Sequence, residues 1–577
     1  MTPQERCLAP RRMPSRQRHK ENLIYNKMAK KHVFLLLCYC AALAFLILNI
    51  GDRGVIIDFV RPFMFALTST AGIVFLAAAH RRHMACVSAA LLSVFTAACL
   101  IVYRYYQNIG NGFSSSDVYA ILQSDFAESK HYALDNFMDG KSLLLGLMAF
   151  LVSLGFMLAF MKGFVPFLER MQKKHLLSMT AVVFITSLVI LYFTRPVHVF
   201  INSYGRYYKD IEQFNRLFND ISSAPLVEVS KEEEGELYVL VIGESESRDY
   251  MHVYGGEVEN TPWRDSLRSE KNWVVFNHAY SHHTHTAPVL TAAFTEGRAL
   301  TGLHFPQGQN LIHIAKQIGM HTVWISNQAS LGAWDNPVSA LASTANKTIF
   351  SKTMDGMNLA SPEPDEVLLP ILDEELRNID FQKNNFIVIH LMGSHSPYVK
   401  RYPANYPYVV SYGPRQNSRH AFVSKKQKRV YEMYNTSIRY TDDVLREIAA
   451  RITAHNDKPA IMLYFADHGE DVFIPVTGHN YSSFTWSMAR IPLMLWASEA
   501  YQTLYPQKLK TLAEHADKVF TNDLIFDLFL GIANIKTPLY KPEFDISNAL
   551  YALNIHNAII ADNKAVSADV YGQTKAD

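Results

Sequence analysis

The sequence predicts an α/β protein in two parts: an N-terminal bundle of five transmembrane helices, then a domain with a mainly parallel sheet flanked by helices. Three observations predict it. Apolar residues crowd the first third of the chain into five segments of membrane-spanning length, at 33–50, 60–79, 84–103, 143–164 and 176–194. Beyond Lys231 the pattern changes to short β-branched or aromatic runs separated by longer amphipathic stretches, which is the alternation of an α/β domain. All five cysteines, Cys7, Cys38, Cys40, Cys86 and Cys99, lie in the tail or the apolar third, so no disulfide staples the second part.

Taken in order, residues 1–32 form a basic tail with Arg11, Arg12, Arg16, Arg18, Lys20, Lys27, Lys30 and Lys31. Arg81 and Arg82 lie between the second and third segments, and Arg170, Lys173 and Lys174 between the fourth and fifth. Cytoplasmic loops collect Lys and Arg, so these three regions are expected in the cytoplasm. The loop over 104–142 carries Asp117, Asp125, Glu128, Asp135 and Asp139 and fits the opposite side. Five crossings of 33–195 from a cytoplasmic N-terminus then leave everything after Arg195 outside the cytoplasm, as a multi-pass membrane protein. The first segment is too long, and followed by too many others, to read as a cleavable signal peptide.

The bundle reads as an anchor. Its ionisable residues, such as Asp58, Arg61 and Arg104, fall near segment ends, whereas a transport path needs polar groups at mid-membrane. With 55 Lys+Arg against 53 Asp+Glu, the chain lacks the basic excess that phosphate backbones select, so nucleic acid is not an expected partner. Residues 196–234, with Tyr204, Tyr207, Tyr208, Phe214 and Phe218 among charges, suit either a linking helix at the membrane interface or an ordinary amphipathic helix.

The second domain, 235–560, carries strand-like runs at 237–242, 273–276, 322–325, 386–389, 461–465 and 493–496, followed by a tail over 561–577. Ligands of parallel sheets collect outside the carboxyl ends of the strands. Several polar groups stand just there. Glu244 follows the first run, Thr286 lies in the His-rich turn after the second, and Asp467-His468 follows the fifth. A lone Glu or Thr at such a place is usually a helix-terminal charge or cap, and Pro288 does suit a first helical turn. The set is harder to dismiss. Carboxylate and imidazole ligands from separate strands can converge on one cation, zinc ahead of manganese. Backbone N–H groups at a helix start can also cradle a phosphoryl group. His395, in His390-Leu391-Met392-Gly393-Ser394-His395-Ser396-Pro397, and His479, in Thr477-Gly478-His479-Asn480, add two imidazoles from further loops.

These motifs resemble the membrane phosphoethanolamine transferases, whose catalytic domain is of the alkaline phosphatase/sulfatase type and follows five helices. The resemblance covers nearly the whole chain. It implies that Glu244 of Gly-Glu-Ser and Asp467 and His468 of Asp-His-Gly-Glu are metal ligands, and that Thr286 is both ligand and nucleophile. It also implies that His395 and His479 bind the phosphoryl group or a second metal, making one or two zinc ions. Asn327, in Trp324-Ile325-Ser326-Asn327-Gln328, matches a substrate-side Asn; the Lys that follows it in some lipid A enzymes is Leu331 here. The missing cysteines bring the chain nearer the branch acting on the lipopolysaccharide core. No Cys/Ser-x-Pro-x-Arg turn of the sulfatases proper is present.

The implied reaction has two steps. A dication favours the alkoxide of a coordinated hydroxyl, and Thr286 would attack the phosphorus of phosphatidylethanolamine and release diacylglycerol. A lipopolysaccharide group, on the core or on lipid A, would then take phosphoethanolamine from the phospho-Thr. The alternatives are a related phosphoglycerol transferase or phosphodiesterase, or a non-catalytic membrane sensor. Thr284 and Ser245 are rival hydroxyls.

Overall fold

The computed structural model describes residues 36–44, 57–80, 82–109, 140–168, 171–192, 197–206 and 227–561, apart from 300–309, 330–336, 353–362, 410–424, 456 and 473–483, with a few single residues besides. The chain forms two compact units, Met1–Val118 with Tyr132–Ser203, and Tyr119–His131 with Tyr204–Asp577.

The first unit is helical. Its long helices run over Ile57–His80, Arg82–Ile109, Gly140–Leu168 and Lys173–Tyr192. Three carry stretches long and apolar enough to cross a membrane: Cys86–Arg104, Gly140–Val165 and Lys173–Ile190. The expected second span lies in the Ile57–His80 helix, whose described apolar stretch, Phe63–Leu76, is shorter. The expected first span runs past the described residues. Its described part does join the bundle. The Tyr39 hydroxyl lies 2.6 Å from Thr96 Oγ1 and 3.3 Å from Ser153 Oγ, and its ring stacks on Phe156. Such hydroxyl contacts join helices where burial gives no drive, because lipid tails are as apolar as leucine.

The second unit is a mixed α/β fold. Seven strands form the main sheet: β1 (Leu237–Gly243), β2 (Trp273–Val275), β4 (His321–Ala329), β5 (Lys347–Lys352), β6 (Asn385–His390), β7 (Ala460–Ala466) and β8 (Leu493–Ala497). A separate pair joins β3 (His278–Tyr280) to β9 (Val519–Thr521). The order across the main sheet is β2-β8-β7-β1-β6-β4-β5, parallel from β7 through β5, with β8 antiparallel to both β7 and β2. β1, β6 and β7 are buried along their whole length, which is why they read as unbroken apolar runs rather than alternating ones. All six expected runs became strands. β5 was not expected, because Lys347 and Lys352 close both ends of an edge strand and leave no apolar run to find.

One core layer holds Ile242, Val289, Leu290, Phe294 and Trp324 beneath the Thr286–Ala293 helix. The other holds Val241, Tyr434, Ile438, Leu445 and Tyr464 beneath the long Lys425–Thr453 helix. Neighbouring strand residues point to opposite faces, so Val241 and Ile242 feed different layers. The central strands β7, β1, β6 and β4 therefore bring their carboxyl ends side by side at one edge of the sheet.

Candidate active site

The β1 chain leaves the sheet through Gly243, where any side chain would run into the Tyr464 hydroxyl. Glu244 follows, buried, and Ser245 takes a left-handed turn at φ 56°. Gly393, at φ +47°, lies against the Glu244 backbone where a Cβ would come within 2.7 Å of its carbonyl oxygen. Only glycine fits that approach without displacing the loop. The Ser394 N–H then donates to the Glu244 carbonyl at 2.9 Å, pinning the β6 loop to the β1 turn.

From β7, Asp467 and His468 enter the same space, both buried. Ligand atoms of Glu244, Asp467 and His468 lie within 4.8 Å of one another. The His468 Nδ1 is 2.9 Å from the Gly469 carbonyl, which can only accept, so Nδ1 carries a proton there. That leaves Nε2 facing both acids, 3.4 Å from Glu244 Oε1 and 3.4 Å from Asp467 Oδ2. The Ser245 N–H donates to Asp467 Oδ1 at 3.0 Å and the Ser245 hydroxyl to Glu244 Oε1 at 2.9 Å. The Asp467 carbonyl accepts from Asn522 Nδ2 at 2.6 Å and from the Ser281 hydroxyl at 2.7 Å.

Thr286 completes the group. It is the first residue of its helix, with His285 as the extended N-cap and Pro288 in the first turn. Its hydroxyl is 2.6 Å from Asp467 Oδ2 and 3.1 Å from Glu244 Oε2. The rival hydroxyls are placed differently. Thr284 is buried with its Oγ1 3.1 Å from the His285 ring, and the Ser245 hydroxyl is buried on Glu244.

Burial raises the Asp467 carboxyl to about 7, helped by the Glu244 charge beside it. Burial also disfavours a charged imidazole, but Asp467 and Glu244 outweigh it and raise His468 to about 10. For Glu244 burial acts upward, yet the hydrogen bond and charge of His468 hold it well below the usual carboxylate range. The donor set fits a small borderline cation. Two carboxylates, one imidazole nitrogen and one hydroxyl supply four N/O ligands, and both carboxylates and the imidazole are oriented by further hydrogen bonds from Ser245, Gln328 and the Gly469 carbonyl.

Other expected residues separate. His395 is half-buried on the β6 loop, its Nδ1 2.6 Å from the Ser396 carbonyl, and it adds to the field that lowers Glu244. His479 lies outside the described residues. The Asn327 amide donates to Asp365 at 2.7 Å and to the Glu363 carbonyl at 3.0 Å, while its oxygen accepts from Ser351. The next residue, Gln328, is the one that meets the cluster, donating to Glu244 Oε2 at 3.4 Å and to the Leu391 carbonyl at 3.1 Å. Sequence reasoning passed over Gln328, although strand alternation separates it from Asn327 and puts it on the face of Trp324 and Ser326.

Residues 236–531 match the sulfatase family. Phosphoethanolamine transferase EptC of Escherichia coli is 26% identical over 359 residues, 60% of this chain and 60% of its own length. The chain therefore matches about three fifths of the length of that curated relative. The crystal structure of the C-terminal periplasmic domain of the Escherichia coli protein, in complex with zinc, covers 59% of this chain and 94% of that one at 26% identity and a TM-score of 0.53. The integral membrane lipooligosaccharide phosphoethanolamine transferase A of Neisseria meningitidis covers 85% of this chain and 90% of its own, at 19% identity and a TM-score of 0.55, a likeness of fold.

Proposed function

The chain belongs to the sulfatase family, and from that premise we propose that it transfers phosphoethanolamine from phosphatidylethanolamine to a lipopolysaccharide acceptor through a covalent ester on Thr286. The observation that carries this reading is the Thr286 hydroxyl, held within 3.1 Å of two buried carboxylates that share their space with an imidazole. Glu244, Asp467, His468 and Thr286 would hold zinc. When bound, zinc would supply the Lewis acidity that favours the ionised form of a hydroxyl.

The rest follows from the chain's own groups. The Thr286 oxygen attacks phosphorus, the bond from phosphorus to the diacylglycerol oxygen breaks, and diacylglycerol leaves with a proton. An acceptor hydroxyl or phosphate then attacks the same phosphorus and frees Thr286. His395, on the adjacent loop, and His479 are proposed to meet phosphoryl oxygens. The Lys/Arg asymmetry of the apolar third supports a periplasmic catalytic domain on an inner-membrane anchor.

Mass spectrometry of lipopolysaccharide from cells with and without this chain tests the proposal. The expected result is a phosphoethanolamine increment present only with the intact chain. A glycerophosphate increment would identify the related phosphoglycerol chemistry instead, and no increment would overturn the transfer.

Zinc binding should depend on pH in a defined direction. Asp467, raised to about 7, and His468, raised to about 10, both hold protons in the metal-free cluster near neutrality. Zinc must displace them, so affinity rises with pH through and above neutrality. Chelator competition across this range measures the slope. A flat profile would show that the cluster is not the ligand set.

A further inference from the structure

We infer that Tyr434 is a positioning residue for the metal centre and acts through Ser245. The inference rests on the zinc reading above. Tyr434 is fully buried on the long Lys425–Thr453 helix, on the sheet face opposite Thr286. Its hydroxyl donates to the Ser245 carbonyl at 2.8 Å and accepts from the Ser247 N–H at 2.9 Å, so one oxygen clamps both sides of the β1 turn.

What is clamped matters. Ser245 is one of three non-glycine residues at positive φ among the described residues, and such a conformation persists when its surroundings over-determine it. From that conformation Ser245 aims two donors at two different ligands, its N–H at Asp467 Oδ1 and its hydroxyl at Glu244 Oε1. If the turn relaxes, both carboxylates lose an orienting partner together.

The same tyrosine reaches the second ligand turn. Its ring meets Tyr398 at 5.0 Å and Tyr250 at 5.3 Å between centroids. The Tyr398 hydroxyl donates to Glu470 at 2.9 Å and the Tyr250 hydroxyl to Asp471 at 3.0 Å. These acids stand two and three residues past His468. The three rings thus brace the Glu244 turn against the Asp467-His468 turn from beneath the sheet edge.

The test is the full-length protein in detergent carrying Tyr434→Phe, which keeps the ring contacts and removes one oxygen. The comparison variant is Tyr501→Phe. Tyr501 is also fully buried, its hydroxyl donates to the Ile532 carbonyl at 2.7 Å, and it follows β8 at the amino end of the parallel strands. Zinc affinity by chelator competition and the thermal midpoint of the metal-free protein are measured for each. The expected result is zinc affinity about 10–100-fold weaker in Tyr434→Phe, the range seen when a partner that orients a ligand is removed. Tyr501→Phe should lower the midpoint and leave zinc affinity unchanged.

A second arm separates positioning from packing. Glycine holds a left-handed turn without strain, so Tyr434→Phe should weaken zinc less in a Ser245→Gly background than alone. Equal losses in both backgrounds, equal zinc affinity in Tyr434→Phe and wild type, or failure of Tyr434→Phe to fold in either background would each assign the hydroxyl to packing and overturn the inference. Absence of zinc binding by the wild-type protein would instead overturn the reading on which it rests.

Discussion

Thr286→Ala should abolish transfer, by about 10⁴-fold or more, while the protein still folds and inserts. Loss of a nucleophile removes the covalent route altogether, and what remains is the small residual rate that binding alone supports. The structural cost is modest. Thr286 is half-buried at the first position of its helix, the change keeps the Cβ, and alanine suits a helix better than threonine. Loss of its hydrogen bonds to two buried carboxylates is expected to cost about 1–3 kcal/mol, read as the thermal midpoint. The trapped intermediate is the sharper measurement. Wild-type enzyme incubated with donor alone should yield a peptide bearing phosphoethanolamine on Thr286. An adduct on Thr284 or Ser245 would reassign the nucleophile, although their hydroxyls are buried and already engaged by His285 and Glu244.

The second large effect concerns the ligands. Glu244→Gln, Asp467→Asn and His468→Ala should each weaken zinc by about 10²-fold or more and take activity down with it. The apparent free energy of a four-ligand zinc site, about 10–16 kcal/mol, makes each ligand worth roughly 3 kcal/mol. The contrast with His395→Ala makes the result specific, since that half-buried residue lies outside the close ligand group and should keep zinc while losing turnover. Metal analysis of the purified variants settles the matter. Full occupancy in all three ligand variants would place the metal elsewhere.

Much of this protein was readable from local pattern. A buried parallel strand must be apolar on both faces, so β1, β6 and β7 announce themselves as short runs, and the residues just beyond them are by construction at one edge of the sheet. Glu244 and Asp467-His468 were found that way. The apolar third was found the same way, because a membrane imposes a length and a polarity that no tertiary contact can relax. β5 escaped because an edge strand needs to be apolar on neither face, and Gln328 escaped because choosing between adjacent amides requires knowing which strand face meets Glu244.

Other facts exist only in three dimensions. Strand order put β7, β1, β6 and β4 side by side, and with that order groups more than two hundred residues apart, such as Ser245 and Asp467, came within hydrogen-bond distance. Three hydroxyls, Thr284, Thr286 and Ser245, were alike as letters; burial and direction distinguished them. Tyr434 carries no local signal at all, since an aromatic residue on an amphipathic helix is ordinary core until its hydroxyl is seen between Ser245 and Ser247. Pattern is local because backbone geometry and solvent act residue by residue, whereas convergence depends on how the sheet is threaded, which no short stretch of chain encodes.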